Sequence, residues 1–486
     1  SMPGLPATFK RLVLIEPGKD VVSAKLEVRE VLTPDPSTLK SDEVLIRVAA
    51  APVNPSDFGA WAAPGPTFRD DGEDDKAPTK NGGSKKSRFF GGGSKEAPPK
   101  TLAPGKAIGL EGSGVVVRVG SRFSSSMAGI GVGTKVGFTG LREDQGSYSE
   151  YVVAPLQTTF AMDDDLPVED AASFFVNPFT AVAILETMRA KHSAAKAFVH
   201  TAAASQLGKM LIKLLVRLRL AGDQAGDVKL VSVVRSEDQA AQLRKIGADK
   251  VVVVRDPSSD RDPGLRDLAA AIDGLKATVA FDAVAGSLTG RLLSLLPNAA
   301  TVYVYGRLAG DCEKIAPVDL IYRQKQLKGF YLRSWIERGD AGSPSSSRGG
   351  GLSALFGTAN RVLRAVARVR SGLADGGWCH TSFVDCDLAS MYSSFTQLKS
   401  SKGFTDHKLR IRFASPAAAT GDAPSSADNL AAAAAAAQPV PEPPVEPSEA
   451  NVDLLVSMGF DRDRALDALR ASRDNLEHAA NSLLSA

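Results

Sequence analysis

The strongest constraint on the fold of this chain is a regular alternation of short β-branched runs and amphipathic stretches between residues 197 and 306. Two of the amphipathic stretches, Gln206–Leu220 and Glu237–Ile246, have helical periodicity. The strand-like runs are Ala197–His200, Lys229–Val234, Lys250–Val254, Thr278–Asp282 and Thr301–Gly306. Because parallel strands need helix-length crossovers, this alternation predicts a doubly wound parallel sheet.

The region before residue 197 has a different pattern. Its short runs, such as Glu43–Ala49, Gly112–Val119 and Thr134–Phe138, are punctuated by glycine and proline. That spacing favours the short strands of an antiparallel barrel. With 486 residues the chain is too long for one ordinary hydrophobic core, so we expect two or three domains.

Three segments have the composition of loops or linkers rather than of folded domains. Residues 62–104 are rich in Asp, Gly, Ser and Lys, residues 339–351 in Ser and Gly, and residues 416–449 in Ala and Pro. We interpret them as an insertion in the first domain, a surface loop and a semi-rigid tether. The residues after the tether then form a separate domain.

Composition excludes several classes of partner. Lysine and arginine number 58 against 55 aspartate and glutamate, which gives no reason to expect nucleic acid or an anionic membrane. Three cysteines, none in a C-x-x-C pair, make neither a disulfide framework nor a structural zinc site. The apolar runs are too short for a transmembrane helix.

The end of the first strand-like run carries a pattern of dinucleotide binding. Ala197–His200 leads into the loop Thr201–Gly208 and then a helix. Small residues let the backbone approach a pyrophosphate, and the helix amides supply donors. The usual glycine pattern is reduced here to Ala-x-Ser-x-x-Gly. The candidate cofactor-binding residues are Ala203, Ala204, Ser205, Gln206, Leu207 and Gly208.

The next strand indicates which dinucleotide binds. It ends in Arg235 and Ser236, where NAD-specific proteins usually place an acidic residue on the ribose hydroxyls. Arginine suits a 2′-phosphate instead, so we expect NADPH rather than NADH. The alternative is a plain strand–turn–helix unit with a surface arginine.

Several further stretches carry a specific resemblance in their order along the chain. They are Pro52–Asp57, Gly109–Gly114, Val176–Ala181, Gly247–Asp249, Tyr305–Gly306 and Gly329–Trp335. In these stretches the chain resembles the medium-chain dehydrogenase/reductase superfamily, and within it the mitochondrial 2-enoyl thioester reductases. The resemblance covers most of residues 8–413.

The resemblance implies an α/β fold in which a GroES-like β-barrel domain adjoins a doubly wound Rossmann domain. The expected ranges are 1–170 and 320–413 for the GroES-like domain, 171–319 for the Rossmann domain, 414–449 for the linker and 450–486 for a three-helix domain. Homodimers joined through the Rossmann sheets are common in the superfamily. The remaining cofactor positions that the resemblance implies are Asn177 and Thr180 near the nicotinamide, Tyr305 and Gly306 at a strand end, and Phe330 and Leu332 along the hydride path.

Zinc is not expected in the active site. Zinc-dependent relatives use a cysteine in the Asn54–Asp57 region and a histidine just before Glu111, whereas this chain has no cysteine there and has Leu110. Without soft or imidazole ligands, a Lewis-acid alcohol dehydrogenase is disfavoured. Glu111 is then a structural or hydrogen-bonding carboxylate.

The proton donor of the enoyl reductases is missing. The resemblance implies a tyrosine shortly after Asp57, but the first tyrosine of this chain is Tyr148. The catalytic acid is therefore unknown. The resemblance implies an active site in the cleft between the two domains, and Asn54 and Trp61 are candidates by their position there. Trp61 is better explained as a packing residue, because an indole N–H is a poor acid.

The last 36 residues resemble the ubiquitin-associated domain. Asn451–Phe460, Asp461–Ala471 and Leu476–Leu484 have the periodicity of three short helices. In that family a Met-Gly-Phe loop and paired leucines meet ubiquitin. The residues carried over to this role are Met458, Gly459, Phe460, Leu483 and Leu484. The alternative is that they only close a minimal core.

Three functions remain open. The first is an NADPH-dependent 2-enoyl thioester reductase with a ubiquitin-binding module, and the second is a quinone or enone reductase, whose product can take its proton from water. The third is a ubiquitin-linked adaptor that binds NADPH with little turnover. The compartment is also open, since the reductase resembles mitochondrial proteins while ubiquitin is found chiefly in the cytosol and nucleus.

Overall fold

The computed structural model describes two compact units, Ser1–Ser415 and Pro416–Ala486. In the first unit the described residues are 5–18, 23–57, 105–120, 129–142, 144–338, 352–374, 377–400 and 407–414. In the second they are 447, 451–452, 455–456, 461–472, 479 and 483. The predicted insertion, the predicted Ser/Gly loop and nearly all of the predicted tether lie outside these ranges.

The first half of the chain forms two β-sheets. The strands are β1 (Thr8–Glu16), β2 (Lys25–Leu32), β3 (Glu43–Pro52), β4 (Lys106–Ala107), β5 (Glu111–Val119), β6 (Lys135–Thr139), β7 (Tyr151–Pro155) and β8 (Thr159–Ala161). Three of them form the sheet β2-β1-β4, and a larger, mostly antiparallel sheet runs β3-β5-β6-β8 with β7 also on β3. Eight of the ten residues of β3 are buried, so this strand is the centre of the barrel-like domain.

The second half contains the doubly wound sheet. Its strands are β9 (Ala197–His200), β10 (Lys229–Val234), β11 (Lys250–Val253), β12 (Ala277–Asp282), β13 (Thr301–Val304) and β14 (Gln326–Gly329). The order is β11-β10-β9-β12-β13-β14, and all neighbours are parallel. The chain moves outward from β9 to β11 and then crosses to β12, so the C-terminal ends of β9 and β12 form the crevice where such sheets bind ligands.

Helices cover both faces of this sheet. The helices of this half are α1 (Val176–Lys191), α2 (Gln206–Leu220), α3 (Glu237–Lys245), α4 (Pro263–Leu275), α5 (Gly286–Leu295), α6 (Pro317–Ile321), α7 (Leu332–Arg338) and α8 (Leu352–Ala374). The next helix, α9 (Met391–Ser400), packs instead on the barrel-like domain. One core lies between the sheet and α1, α2, α3, α7 and α8, and a second lies under α4 and α5. The expected α/β fold class is confirmed.

The chain returns to the barrel-like domain after α8. Strands β15 (Phe383–Cys386) and β16 (Lys408–Arg412) extend the larger sheet beside β3. The dinucleotide sheet, however, continues past residue 319, where the sequence places the end of the Rossmann domain, because Gln326–Gly329 pairs with β13. That boundary is therefore too early.

The second unit contains helix α10 (Arg462–Ala471), which corresponds to the second predicted helix. Asp461 caps it by accepting hydrogen bonds from the amides of Asp463 and Arg464. Three of its residues, Ala465, Ala468 and Leu469, form a small core with Val452, Leu455 and Ala479. The first and third predicted helices fall partly outside the described residues, so the three-helix arrangement stays a prediction. No described helix in either unit is both long and apolar enough to cross a bilayer.

Candidate functional site

The turn between β9 and α2 has the geometry of a phosphate-binding loop. Ser205 caps α2, and its Oγ accepts a hydrogen bond of 3.2 Å from the amide of Gly208. Ala203 and Ala204 are buried in the turn. A Cβ added at Gly208 would lie 2.2 Å from the carbonyl oxygen of Ala203, so only glycine lets the helix pack this closely. The N-terminal end of α2, with its positive dipole end, therefore lies at the crevice.

One residue of this turn adopts an unusual conformation. Ala202 has a φ of 48°, a left-handed conformation that favours glycine. Glycines are usual in such loops for this reason. Here Ala202 adopts the left-handed conformation although it is not glycine. The fold holds Ala202 in place through its neighbours, because the amide of Ala203 donates to the carbonyl of Val233 in β10 at 3.1 Å.

Arg235 and Ser236 follow β10 directly, two and three residues beyond the contact between Val233 and the turn. The Ser236 side chain caps α3, and the amide of Arg235 donates to Gln239 Oε1 at 3.1 Å. The Arg235 side chain is exposed, and within the described part of the chain no ion pair or hydrogen bond of its guanidinium is found. A free cation therefore lies at the position predicted for a 2′-phosphate.

An aspartate that the sequence analysis missed fixes this edge of the sheet. Asp282, fully buried at the end of β12, accepts hydrogen bonds of 2.7 Å from the hydroxyls of Thr201 and Thr289 and of 2.9 Å from the amide of Val284. These hydrogen bonds connect the turn after β9 to the loop after β12. The signal was available, because an aspartate that ends a buried strand-like run is an unusual choice.

The remaining predicted cofactor positions lie at the start of α1 and at the ends of β13 and β14. Asn177 and Thr180 are in the first turns of α1, with the Thr180 hydroxyl bonded to the carbonyl of Val176 at 2.6 Å. Gly306 lies so close to the β12 loop that a Cβ there would be 2.5 Å from the carbonyl oxygen of Ala283. Phe330 follows β14 and Leu332 begins α7. These positions are proposals as cofactor contacts.

Two aromatic residues form a pair at this edge. The hydroxyl of Tyr305 lies 2.7 Å from Nε2 of His200, and the two rings stack at 5.9 Å with 14° between their planes. Burial lowers the pKa of His200 to about 4, so the ring is neutral at physiological pH. Burial, with the charge of Asp282 as a smaller cause, raises the pKa of Tyr305, so its phenol stays protonated.

On the barrel side, Glu111 connects the two domains. One of its oxygens accepts a hydrogen bond of 2.9 Å from the side-chain amide of Asn54. The other accepts the amides of Phe175 and Val176, at 2.8 and 3.0 Å, at the start of α1. Nζ of the buried Lys408 is 4.0 Å from the first oxygen. Glu111 therefore acts as the expected hydrogen-bonding carboxylate, and it holds the end of α1 that carries Asn177.

A second buried carboxylate lies beside this group. Asp57 accepts hydrogen bonds of 2.7 Å from the amide of Asn54 and 2.9 Å from the hydroxyl of Tyr148. Burial raises the pKa of Asp57 to about 7, although both hydrogen bonds act in the opposite direction. Tyr148 is fully buried in the barrel core. The pairing of Asp57 with Tyr148 was not predicted.

The positions of the zinc ligands in related enzymes carry other side chains. Asn54 is bound to Glu111, and Leu110 is 41% exposed with no metal-binding group. Across the residues with described positions, no three His, Cys, Asp or Glu side chains gather in one place. Trp61, the other cleft candidate, lies outside the described residues.

Most of the predicted ubiquitin-binding residues cannot be placed either. Met458, Gly459, Phe460 and Leu484 lie outside the described residues. Leu483 is described, and it is partly buried against the small core around α10. That position is compatible with both interpretations of this residue, a binding contact or a member of a minimal core.

Comparison with known proteins follows the two units. The alcohol dehydrogenase GroES-like domain model matches residues 40–164, and the UBA/TS-N domain model matches residues 447–483. The mitochondrial enoyl-[acyl-carrier-protein] reductase of Dictyostelium discoideum is 28% identical over 248 residues, which are 48% of this chain and 63% of that protein. The chain thus spans under two thirds of that relative.

Solved structures resemble the first unit. A Mesorhizobium loti protein assigned as an NADPH:quinone reductase aligns with a TM-score of 0.62 at 24% identity, over 85% of this chain and all of that one. The Escherichia coli quinone oxidoreductase complexed with NADPH aligns with a TM-score of 0.57 at 17% identity, over 83% of this chain and all of that one. At these identities the structures show the fold. Together with the family models, they confirm the resemblance inferred from the sequence.

Proposed function

We propose that this chain, in which the fold of the medium-chain dehydrogenases and reductases is joined to a UBA/TS-N domain, is a zinc-independent, NADPH-dependent reductase. It reduces a carbon–carbon double bond conjugated to a carbonyl group. The observation that carries the proposal is the tight turn at Ala203–Gly208, together with Arg235 at the end of the adjacent strand, a cation that no described residue pairs with. A pyrophosphate and a 2′-phosphate fit these two places.

Each part of the cofactor has a group of residues to hold it. The turn and the first amides of α2 take the pyrophosphate, Arg235 and Ser236 take the 2′-phosphate, and Asn177 and Thr180 lie at the nicotinamide end. When bound, NADPH supplies a hydride to the β-carbon of the substrate. Gly306 lets the loop after β13 lie against the backbone of Ala283 at this edge, because a Cβ there would be 2.5 Å from its carbonyl oxygen.

A carboxylate of the barrel domain positions the start of α1 and the side chain of Asn54. Glu111 accepts two amides at the start of α1 and one from the side chain of Asn54, so it fixes the cofactor helix to the barrel. Its role is positioning rather than proton transfer, since both carboxylate oxygens already accept hydrogen bonds.

For the substrate we propose a 2-enoyl thioester. The resemblance in the motifs after Pro52 and around Tyr305 is to enoyl thioester reductases, and the Dictyostelium relative carries that name. A quinone or enone is the second candidate, favoured by the absence of the usual tyrosine and by the names of the two similar structures.

The test is NADPH oxidation by the full chain with a 2-enoyl thioester, and in parallel with a small quinone, each with NADH as the control cofactor. We expect thioester reduction with NADPH and at least about tenfold slower reaction with NADH, as expected for a lost charge-assisted contact. Turnover of the quinone alone would replace the thioester by the second candidate. NADPH binding without any turnover would contradict both and favour the adaptor.

We also propose that the second unit binds ubiquitin or a ubiquitin-like protein. The match of the UBA/TS-N model to residues 447–483 supports this, with Met458, Gly459, Phe460, Leu483 and Leu484 as contacts. In the full chain, Met458→Ala should weaken binding to immobilised ubiquitin by about tenfold, the usual scale for a buried interface anchor. Val456→Ala, at an exposed position of the first helix, is the control and should bind normally. Equal binding by both variants would contradict these contacts.

A further inference from the structure

An enoyl thioester reductase needs an acid at the α-carbon, and the tyrosine that its relatives use is absent from this chain. The chain has seven tyrosines. Five of them lie in the barrel, on the outer surface or in the sheet core: Tyr148, Tyr151, Tyr303, Tyr322 and Tyr392. The other two follow strands at the C-terminal edge of the dinucleotide sheet, Tyr331 after β14 and Tyr305 after β13, beside Gly306. Tyr331 is 62% exposed, whereas the hydroxyl of Tyr305 is hydrogen-bonded to His200.

The structure holds the Tyr305 side chain firmly at this edge. Its amide donates to the carbonyl of Asp282 at 2.9 Å, and the ring of Phe330 meets its ring edge-on at 6.4 Å. The phenol crosses β12 to reach His200 at the end of β9. Tyr305 keeps part of its surface exposed, whereas His200 is fully buried. The phenol oxygen thus lies near the ends of β9 and β12, the edge of the sheet at which the crevice opens.

The hydrogen bonding of His200 determines which way the phenol proton points. Nδ1 of His200 is buried and has no hydrogen-bond partner among the residues that the structure describes. A buried N–H without a partner costs more than a bare lone pair, so the proton of the neutral ring belongs on Nε2. Nε2–H then donates to the Tyr305 oxygen, and the Tyr305 O–H is left to point away from the histidine.

We propose that Tyr305, oriented by His200, is the proton donor of this reductase in place of the missing tyrosine. The inference rests on the proposed thioester substrate. Hydride arrives at the β-carbon, and the π electrons of the double bond move onto the α-carbon and the thioester carbonyl as an enolate. The Tyr305 O–H bond then breaks, its proton forms the new C–H bond at the α-carbon, and the phenolate takes a proton from water.

His200 is a positioning residue in this scheme. Its Nε2–H stabilises the phenolate while the proton is away, as a hydrogen bond to a charged acceptor does. The neutral state of the ring, which follows from its burial, keeps the histidine from acting as the acid itself. The sequence places a histidine at the strand end next to the cofactor turn, and the fold brings it to a tyrosine 105 residues away.

The experiment compares Tyr305→Phe with the native chain on two substrates. For the thioester we expect kcat to fall by about 10²- to 10⁴-fold, the usual contribution of a general acid. For a quinone, whose product takes its protons from water, kcat should fall much less, so the ratio of thioester to quinone turnover should drop by at least about tenfold. Tyr303→Phe is the matched control, because Tyr303 lies two residues earlier and its hydroxyl bonds to His192 instead.

The role of His200 is tested by two substitutions that differ in hydrogen bonding. His200→Gln keeps an N–H donor and should retain thioester turnover within about tenfold of the native chain. His200→Leu removes the donor and should lose more, with an altered pH profile of kcat and little change in KM. Equal loss in both variants would mean that His200 only packs in the core.

The outcomes separate this inference from the proposed function. If the native chain reduces the thioester and Tyr305→Phe does so equally fast, Tyr305 is not the donor and the proposed function stands. A loss on both substrates together with weaker NADPH binding would make Tyr305 a cofactor contact and overturn the inference. If the native chain does not reduce the thioester, both the proposed substrate and the proposed proton donor are contradicted.

Discussion

Among single residues, Arg235 gives the most specific prediction, which concerns the preference for NADPH over NADH. Its guanidinium is exposed at the end of β10 and has no partner in the described part of the chain, so its charge is available to a ligand. Arg235→Ala should raise the KM for NADPH by about tenfold, the size of one exposed charge-assisted contact, and leave the KM for NADH unchanged. Steady-state kinetics with both cofactors measures this difference.

The control for Arg235 is Arg255, which follows β11, the next strand outward, and is exposed in the same way. Arg255→Ala removes the same charge from the same edge of the sheet but farther from the cofactor turn. It should leave both KM values within about twofold. If both variants lose NADPH affinity equally, the effect comes from the total positive charge at this edge of the sheet and not from a 2′-phosphate contact.

Among the elements, helix α2 depends on one glycine for its position. A Cβ at Gly208 would meet the backbone of Ala203 at 2.2 Å, and backbone cannot move aside as a flexible side chain can. Gly208→Ala should therefore shift the turn that we propose as the pyrophosphate site. We expect NADPH affinity to fall at least tenfold and the melting temperature to fall by several degrees, measured by fluorescence titration and thermal unfolding.

Gly274 in α4 provides the comparison for that substitution. Nothing lies within 4 Å of a Cβ added there. Since alanine is a better helix former than glycine by about 1 kcal/mol, Gly274→Ala should keep or raise the melting temperature and leave NADPH affinity unchanged. Normal cofactor binding in the Gly208→Ala variant would show that the turn is not the pyrophosphate site.

At the scale of the whole molecule, the chain divides into two units that bury separate cores. Because the core around α10 shares no residue with the sheet cores, ending the chain at residue 415 should leave NADPH turnover and the melting temperature of the first unit unchanged. The shortened chain should lose binding to ubiquitin. A lower kcat in the shortened chain would instead show that the second unit takes part in catalysis.

Much of the dinucleotide sheet could be predicted from the sequence. The runs Ala197–His200, Lys229–Val234 and Gln206–Leu220 have the predicted bounds, because buried strands and amphipathic helices leave a local hydrophobic pattern. The last strand could not be predicted in this way. Three of the four residues of Gln326–Gly329 are exposed at the sheet edge, so no apolar run marks the strand, and the domain boundary was placed before it.

The sequence by itself determined the fold class, the cofactor turn and the position of Arg235, because these depend on local periodicity and on residues adjacent in the chain. Only the tertiary structure decided which distant polar groups meet. Thr201 and Asp282 are 81 residues apart, Asp57 and Tyr148 are 91 apart, and His200 and Tyr305 are 105 apart. Such pairs form because the parallel sheet and the barrel bring strand ends together, and no local pattern in the chain encodes that meeting.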